Sequence, residues 1–142
     1  MRRVFDNPAG VPAPPPGRYS HVARLSLGDS VMLLVSGQVA LDDDLAVVAP
    51  GDMRAQSERI FEILATILQA HGATFQDVVN IRTYLTDIDR LGEYAEVRLK
   101  HLASAEPPTS TTVEVSRLFL RDALIEVEIM AVIGRPAADG AG

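Results

Sequence analysis

The sequence predicts an α+β fold of two layers, a single amphipathic sheet with two helices stacked on one side. Three observations carry that expectation. The late run Leu124-Ile125-Glu126-Val127-Glu128-Ile129-Met130-Ala131-Val132 alternates charge against apolar bulk, the period-two mark of a strand, and its β-branched residues suit one. Residues 53–70 place Ile60, Ile63, Leu64, Ile67 and Leu68 on one stripe at helical spacing. A second helical stretch and four further strand-like runs give the order β-β-α-β-α-β-β.

Residues 7–17, Asn7-Pro8-Ala9-Gly10-Val11-Pro12-Ala13-Pro14-Pro15-Pro16-Gly17, lack amide donors and favour a stiff extended path, a surface arm that could deliver Tyr19 to a pocket. A first strand is expected over 20–27, ended by Gly28-Asp29. The apolar run Val31-Met32-Leu33-Leu34-Val35 marks a second strand over 30–36, covered on both faces. It continues through 37–40 past Gly37, a position for a bulge or for close approach to the backbone. Asp42-Asp43-Asp44 reads as a solvated loop, since three adjacent acids lack the spaced ligands of a calcium loop. Pro50-Gly51-Asp52 opens the first helix with Asp52 as its cap, and His71-Gly72 ends it. Gln56 and Arg59 are expected on its wetter side. Strand 78–85 and helix 89–101 follow, and Pro107-Pro108 stops further helix. Residues 110–117 alternate strongly, 118–123 turn, and 124–133 form the last strand; the tail after Gly134 is expected to fray.

A chain of 142 residues, 47% hydrophobic, fits one folded domain. Aromatics are only 5% and Trp is absent, so Ile, Val, Leu and Ala must build the core. Net charge is −6 with a pI near 4.9, which argues against a nucleic-acid partner. The absence of cysteine excludes a disulfide scaffold, a thiolate nucleophile and cysteine-ligated metal, and fits a cytoplasmic address. Met1-Arg2-Arg3-Val4 lacks a signal-type apolar stretch, and the apolar runs fall far short of a membrane span. Apolar residues on the sheet face away from the helices call for cover, so self-association is expected.

Two chemical readings are open. Glu126 and Glu128 share one strand face, where they could be solvated or where one could hold and deprotonate a water. A carboxylate near pKa 4.3 needs partial burial or a hydrogen-bonded pose to work near neutral pH. Ser110 and Thr112 share a face of the preceding strand and could hydrogen-bond a small polar ligand. Backbone amides at Ser36-Gly37 could hold an anionic oxygen. HExxH, CxxC, GxGxxG and GxxxxGK are all missing, and His21, His71 and His101 show no ligand spacing, so no metal and no cofactor are implied.

Gly17-Arg18-Tyr19-Ser20, Val35-Ser36-Gly37-Gln38, Ala70-His71-Gly72-Ala73, Asp77-Val78-Val79, Tyr84-Leu85-Thr86-Asp87, Pro108-Thr109-Ser110-Thr111 and Ile125-Glu126-Val127-Glu128-Ile129 follow one another in an order and spacing that resembles the RidA (YjgF-like) family. The resemblance covers about residues 16–132. It implies a chorismate mutase-like fold, two helices on one mixed sheet, in a homotrimer with sites between subunits. It also implies a hydrolase that converts 2-aminoacrylate and related 2-imino acids to 2-keto acids and ammonia. By that resemblance Glu126 matches the family's water-activating acid, Tyr19 its pocket tyrosine, Ser36-Gly37 its backbone site and Thr112 its pocket-lining cysteine or threonine. The arginine that clamps the substrate carboxylate falls on Ser110, the helix asparagine on Ala95 and a nearby tyrosine on Arg98. Losing such a buried charged contact costs about 2–5 kcal/mol. The expected substrate therefore differs from a free 2-imino acid unless Arg98 or Arg18 supplies the charge. The alternative expectation is a regulatory or small-molecule-binding trimer without turnover.

Overall fold

Burial alternates strictly along the last strand. Ile125, Val127, Ile129 and Ala131 are buried, while Glu126, Glu128, Met130 and Val132 lie on the other face. The computed structural model describes residues 1–134, so the expected frayed tail beyond Gly134 lies outside the described residues. Its strands are β1 (Arg2–Asp6), β2 (Val22–Leu27), β3 (Ser30–Gln38), β4 (Val78–Leu85), β5 (Thr109–Glu114) and β6 (Ile125–Gly134), with helices α1 (Met53–Ala70) and α2 (Leu91–Leu102). Among the described residues they form one six-stranded sheet in the order β1-β2-β3-β6-β4-β5. Every neighbouring pair is antiparallel except β4–β5, which is parallel, so the sheet is mixed.

Both helices pack on one face. Phe61, Ile63, Leu64, Ile67 and Leu68 of α1 and Tyr94 and Val97 of α2 meet Leu33, Ile81, Leu85, Ile125, Val127 and Ile129 of the sheet in one apolar core. Tyr94 is buried with its hydroxyl 2.6 Å from Thr83 Oγ1, so its polar atom is satisfied inside that core. Helix α1 and strand β4 occupy the residues expected of them. Asp52 caps α1 by accepting from the Ala55 amide, and His71 is its carboxy-terminal cap.

Four expectations need correction. The sheet begins at residue 2 and not at 20, because Arg2–Asp6 pairs along β2; its exposed arginines hid the strand and also guard an open edge. Strand β2 starts two residues late, because Ser20 and His21 are drawn into contacts with Ser36, Asn7 and Pro12. A turn of 3₁₀ helix at Ile88–Arg90 precedes α2, and β5 ends at Glu114, where Glu114 accepts from the Ile88 amide. Gln56 is fully buried and not on a wet face. Its amide donates to the Ala49 and Asp122 carbonyls and its oxygen accepts from the Leu124 amide, stapling α1 to the start of β6.

Candidate functional site

Glu126 leans over a glycine. The β3–β6 register shifts between Val35 and Gln38, so Ser36 and Gly37 sit in a bulge beside Glu126. A Cβ on Gly37 would overlap Glu126 Oε1 and lie 2.9 Å from its Cδ and 3.0 Å from its Cγ. Glycine is required here by that close approach and not by a left-handed backbone. Among the described residues Glu126 forms no ion pair, and no side chain or loop amide is bonded to it. Burial raises its pKa above the ordinary carboxylate value, and the negative charge of Glu128 raises it further. Glu128 itself accepts a 2.5 Å bond from the Tyr84 hydroxyl.

The segment leading into β2 builds the rest of this half. The Ser36 hydroxyl donates to the Ser20 carbonyl at 2.6 Å, and the Ser36 amide donates to the His21 carbonyl at 2.9 Å. That amide is therefore committed within the chain and is not free for the expected backbone role. Buried His21 donates from Nε2 to the Pro12 carbonyl and accepts at Nδ1 from the Gln38 amide, so the proline arm is tied to the bulge. Tyr19 stands edge-on to His21, with ring centres 6.3 Å apart. Burial, then the Glu126 charge, raises its pKa above the ordinary value of 10, so the phenol keeps its proton at neutral pH and can donate.

Tyr19 borders two hollows. One, of about 400 Å³, lies on the sheet face away from the helices and is walled by Phe5, Ser36, Arg82, Glu128 and Met130 among others. The other, of about 20 Å³, is bounded by His21, Gly37, Gln38 and Phe119 among others. A space of that size has room for about one water. Glu128 and not Glu126 borders the larger hollow; Glu126 lines neither, and faces the bare Cα of Gly37, which borders the smaller one.

Arg98, Ser110 and Thr112 are elsewhere. Ser110 and Thr112 pair with Ile81 and Thr83, both buried under the helices, so their side chains point to the helix side of the sheet. Arg98 Nη1 donates to Ser110 Oγ at 2.9 Å across the gap between α2 and β5. With Ala95, Leu99, Leu102 and Thr112, Arg98 borders an edge hollow of about 580 Å³. Within one chain the expected site residues thus fall into two groups on opposite faces. Tyr19, Ser36, Gly37 and Glu126 are brought together; Arg98, Ser110 and Thr112 form a second group. Sequence reading offered Glu128 beside Glu126 as a possible groove acid, and missed Arg82 as a cavity wall and Phe119 as a residue bordering the same hollow as Gly37. A large exposed aromatic in the 118–123 turn was the available signal for Phe119. Among the described residues no group of three His, Cys, Asp or Glu side chains could hold a metal, and no helix is long and apolar enough to cross a membrane.

Fold and site together define a two-layer α+β protein whose sheet bulges at a glycine to admit a half-buried acid. The family model described as Endoribonuclease L-PSP matches residues 11–133, and the chain belongs to that family. It is 38% identical over 120 residues to a RutC family protein of Saccharolobus solfataricus, covering 84% of this chain and 90% of that one. It is 35% identical over 116 residues to protein DfrA of Myxococcus xanthus, covering 82% and 86%. Among solved structures it is similar to RidA from the Antarctic bacterium Psychrobacter sp. PAMC 21119, at 29% identity and a TM-score of 0.71, covering 86% of this chain and 93% of that one.

Proposed function

We propose that this protein hydrolyses small imine or enamine intermediates, releasing ammonia. Glu126 carries the reading: a half-buried acid with no ion-pair partner among the described residues, held against Gly37, which itself borders room for about one water. Its raised pKa brings it closer to the range where a carboxylate serves as a base near neutral pH. In the step proposed, Glu126 takes a proton from water as the oxygen attacks the C=N carbon. Glu126 returns that proton to the nitrogen, giving a carbinolamine. The carbinolamine hydroxyl then passes its own proton to the nitrogen through the same carboxylate as the C–N bond breaks, so that ammonia leaves and a carbonyl compound remains. Gly37 orients the ligand through its backbone and Tyr19 closes over it with a neutral hydroxyl.

The polar end of the ligand falls to Arg98, Ser110 and Thr112. Their position on the opposite face supports a site completed by a second copy, and the homotrimer of the family pattern provides one. Ser110 alone is a poor partner for a carboxylate, which favours a substrate other than a free 2-imino acid. The Arg98–Ser110 bond supports the other route, a guanidinium reaching the same place from α2 and still holding unused donors for an anion. The net charge of −6 gives RNA cleavage little support.

Ammonia release from imines generated in solution tests the proposal. Glu126→Gln is expected to abolish the acceleration, and equal rates in wild type and variant would reject it. Neutral and carboxylated imines compared in the same assay, with and without Arg98→Ala, decide the substrate charge. Retention of a small molecule without any turnover would support the second reading, a binding or regulatory trimer, which the loss of arginine at Ser110 and of asparagine at Ala95 favours.

A further inference from the structure

The loop between β5 and β6 carries a feature that the hydrolytic reading leaves unused. Phe119 is 67% exposed, although it is an aromatic in a chain with few of them. One side of it helps enclose the small niche with Tyr19, Gly37 and Gln38. Its other side borders a hollow of about 470 Å³, shared with Arg117, Leu118 and Arg121. The ring is thus a common wall between the space beside Gly37 and a larger one outside it.

Size and charge say what that wall meets. The niche takes about one water-sized group, so the body of any ligand reacting beside Gly37 must lie outside it. The outer hollow is a surface recess lined by Arg117, Leu118, Phe119 and Arg121 of this one loop, where the body of such a ligand could rest against the ring. An exposed ring offers a stacking surface to a planar or bulky apolar group. Arg54, Arg59 and Arg90 each pair with a glutamate, whereas among the described residues Arg117 and Arg121 have no acidic partner. Arg117 and Arg121 flank the ring with Asp122 beside them, so residues 117–122 carry two positive charges and one negative in a chain of net charge −6.

We infer that Phe119 selects the substrate side chain, favouring anionic imines with a large, planar apolar substituent over small ones, and that Arg117 and Arg121 draw such anions in. This rests on the proposed site at Glu126 and Gly37 with Arg98, bonded to Ser110, as the partner of the substrate's carboxylate, and names the class of substrate it takes. No bond is made or broken at the loop; it acts on binding alone.

Titration calorimetry with phenylpyruvate and pyruvate, as the keto products of a bulky and a small imine, tests it without turnover. Wild type is expected to bind phenylpyruvate about tenfold more tightly, roughly the worth of one good aromatic contact. Phe119→Ala should erase most of that ratio, and an Arg117→Gln, Arg121→Gln double variant should weaken both ligands alike. Equal affinities in wild type, no binding of either acid, or an unchanged ratio in Phe119→Ala would overturn the inference. So would a change in oligomeric size of Phe119→Ala by sedimentation, which would make the ring a subunit contact. Glu126→Gln separates the two claims: a retained phenylpyruvate preference in a chain whose wild type releases no ammonia would defeat hydrolysis and leave the selecting wall standing.

Discussion

Replacing Gly37 with alanine probes the site through a single methyl group. The new Cβ would overlap Glu126 Oε1 and stand 2.9 Å from Cδ, closer than side-chain carbons approach one another. The backbone at Gly37 is not in the left-handed region, so alanine itself is unstrained there. What must give is the far end of a flexible side chain. Swinging a carboxylate off its preferred rotamer costs about 0.5–1.5 kcal/mol, a modest loss of stability. The consequence for chemistry is larger. A base displaced by about 1 Å from its water loses on the order of a hundredfold in rate. Gly72→Ala provides the contrast. Gly72 has φ of 73° with open space around it, so its variant should lose about 1 kcal/mol of stability and no activity. Urea unfolding and ammonia release measured on both variants check the pair. If Gly37→Ala keeps wild-type kcat/KM, the acid does not act from the position it holds over the bulge.

The acid limb of the pH–rate profile should lie above the ordinary carboxylate value of 4.5, because burial and then Glu128 raise the Glu126 pKa. Glu128→Gln, which keeps an acceptor for Tyr84, should move that limb down; an unmoved limb would mean another group controls it. The same shift has a stability sign. Glu126 has a folded pKa above its unfolded one, so its ionised form costs stability at neutral pH, and acidification through the folded pKa restores what was lost. Glu126→Gln should therefore be the more stable chain at pH 7 in urea unfolding, with the difference shrinking as pH falls. Gln56→Leu would strand the Asp122 carbonyl and the Leu124 amide, and should destabilise by about 2–4 kcal/mol; a loss below about 1 kcal/mol would show those groups find other partners.

The two-layer fold was legible because its signals are periodic. Alternation in 124–133 and the apolar stripe of 53–70 survive any detail of packing. Strand β1 was not legible, since Arg2-Arg3-Val4-Phe5-Asp6 has one exposed edge and no strict alternation, and only pairing with β2 makes it a strand. Gln56 misled for a physical reason: a polar residue on an apolar helix is buried when three backbone groups wait for it, and two of those groups, at Asp122 and Leu124, come from a segment far along the chain. At the site, Glu126 beside Gly37 combines a strand acid with a glycine that marks close approach, both visible in one dimension. Arg98 was only a candidate, with Arg18, for the missing charge, and its bond to Ser110 was not legible because it depends on the angle between α2 and an edge strand. Phe119 was passed over because a turn has no periodicity to flag it.

The parallel pairing of β4 and β5 explains why the polar groups stand where they do. Register sets Ser110 opposite Ile81 and Thr112 opposite Thr83, so both must face the helices. Antiparallel pairing sets Glu126 opposite Tyr84, on the other face. One sheet therefore presents an acid on one side and a guanidinium with two hydroxyls on the other, and its own thickness keeps them apart. No side-chain rearrangement within a chain reverses that, because a strand residue changes face only when register slips by one, and a slip would expose Ile125, Val127 and Ile129 together. A site that uses both groups needs the edge of one sheet laid against the open face of another. The apolar residues on that face, Leu34 and Met130 with Phe5 at the rim, and the edge position of β5 are the features such an arrangement would use.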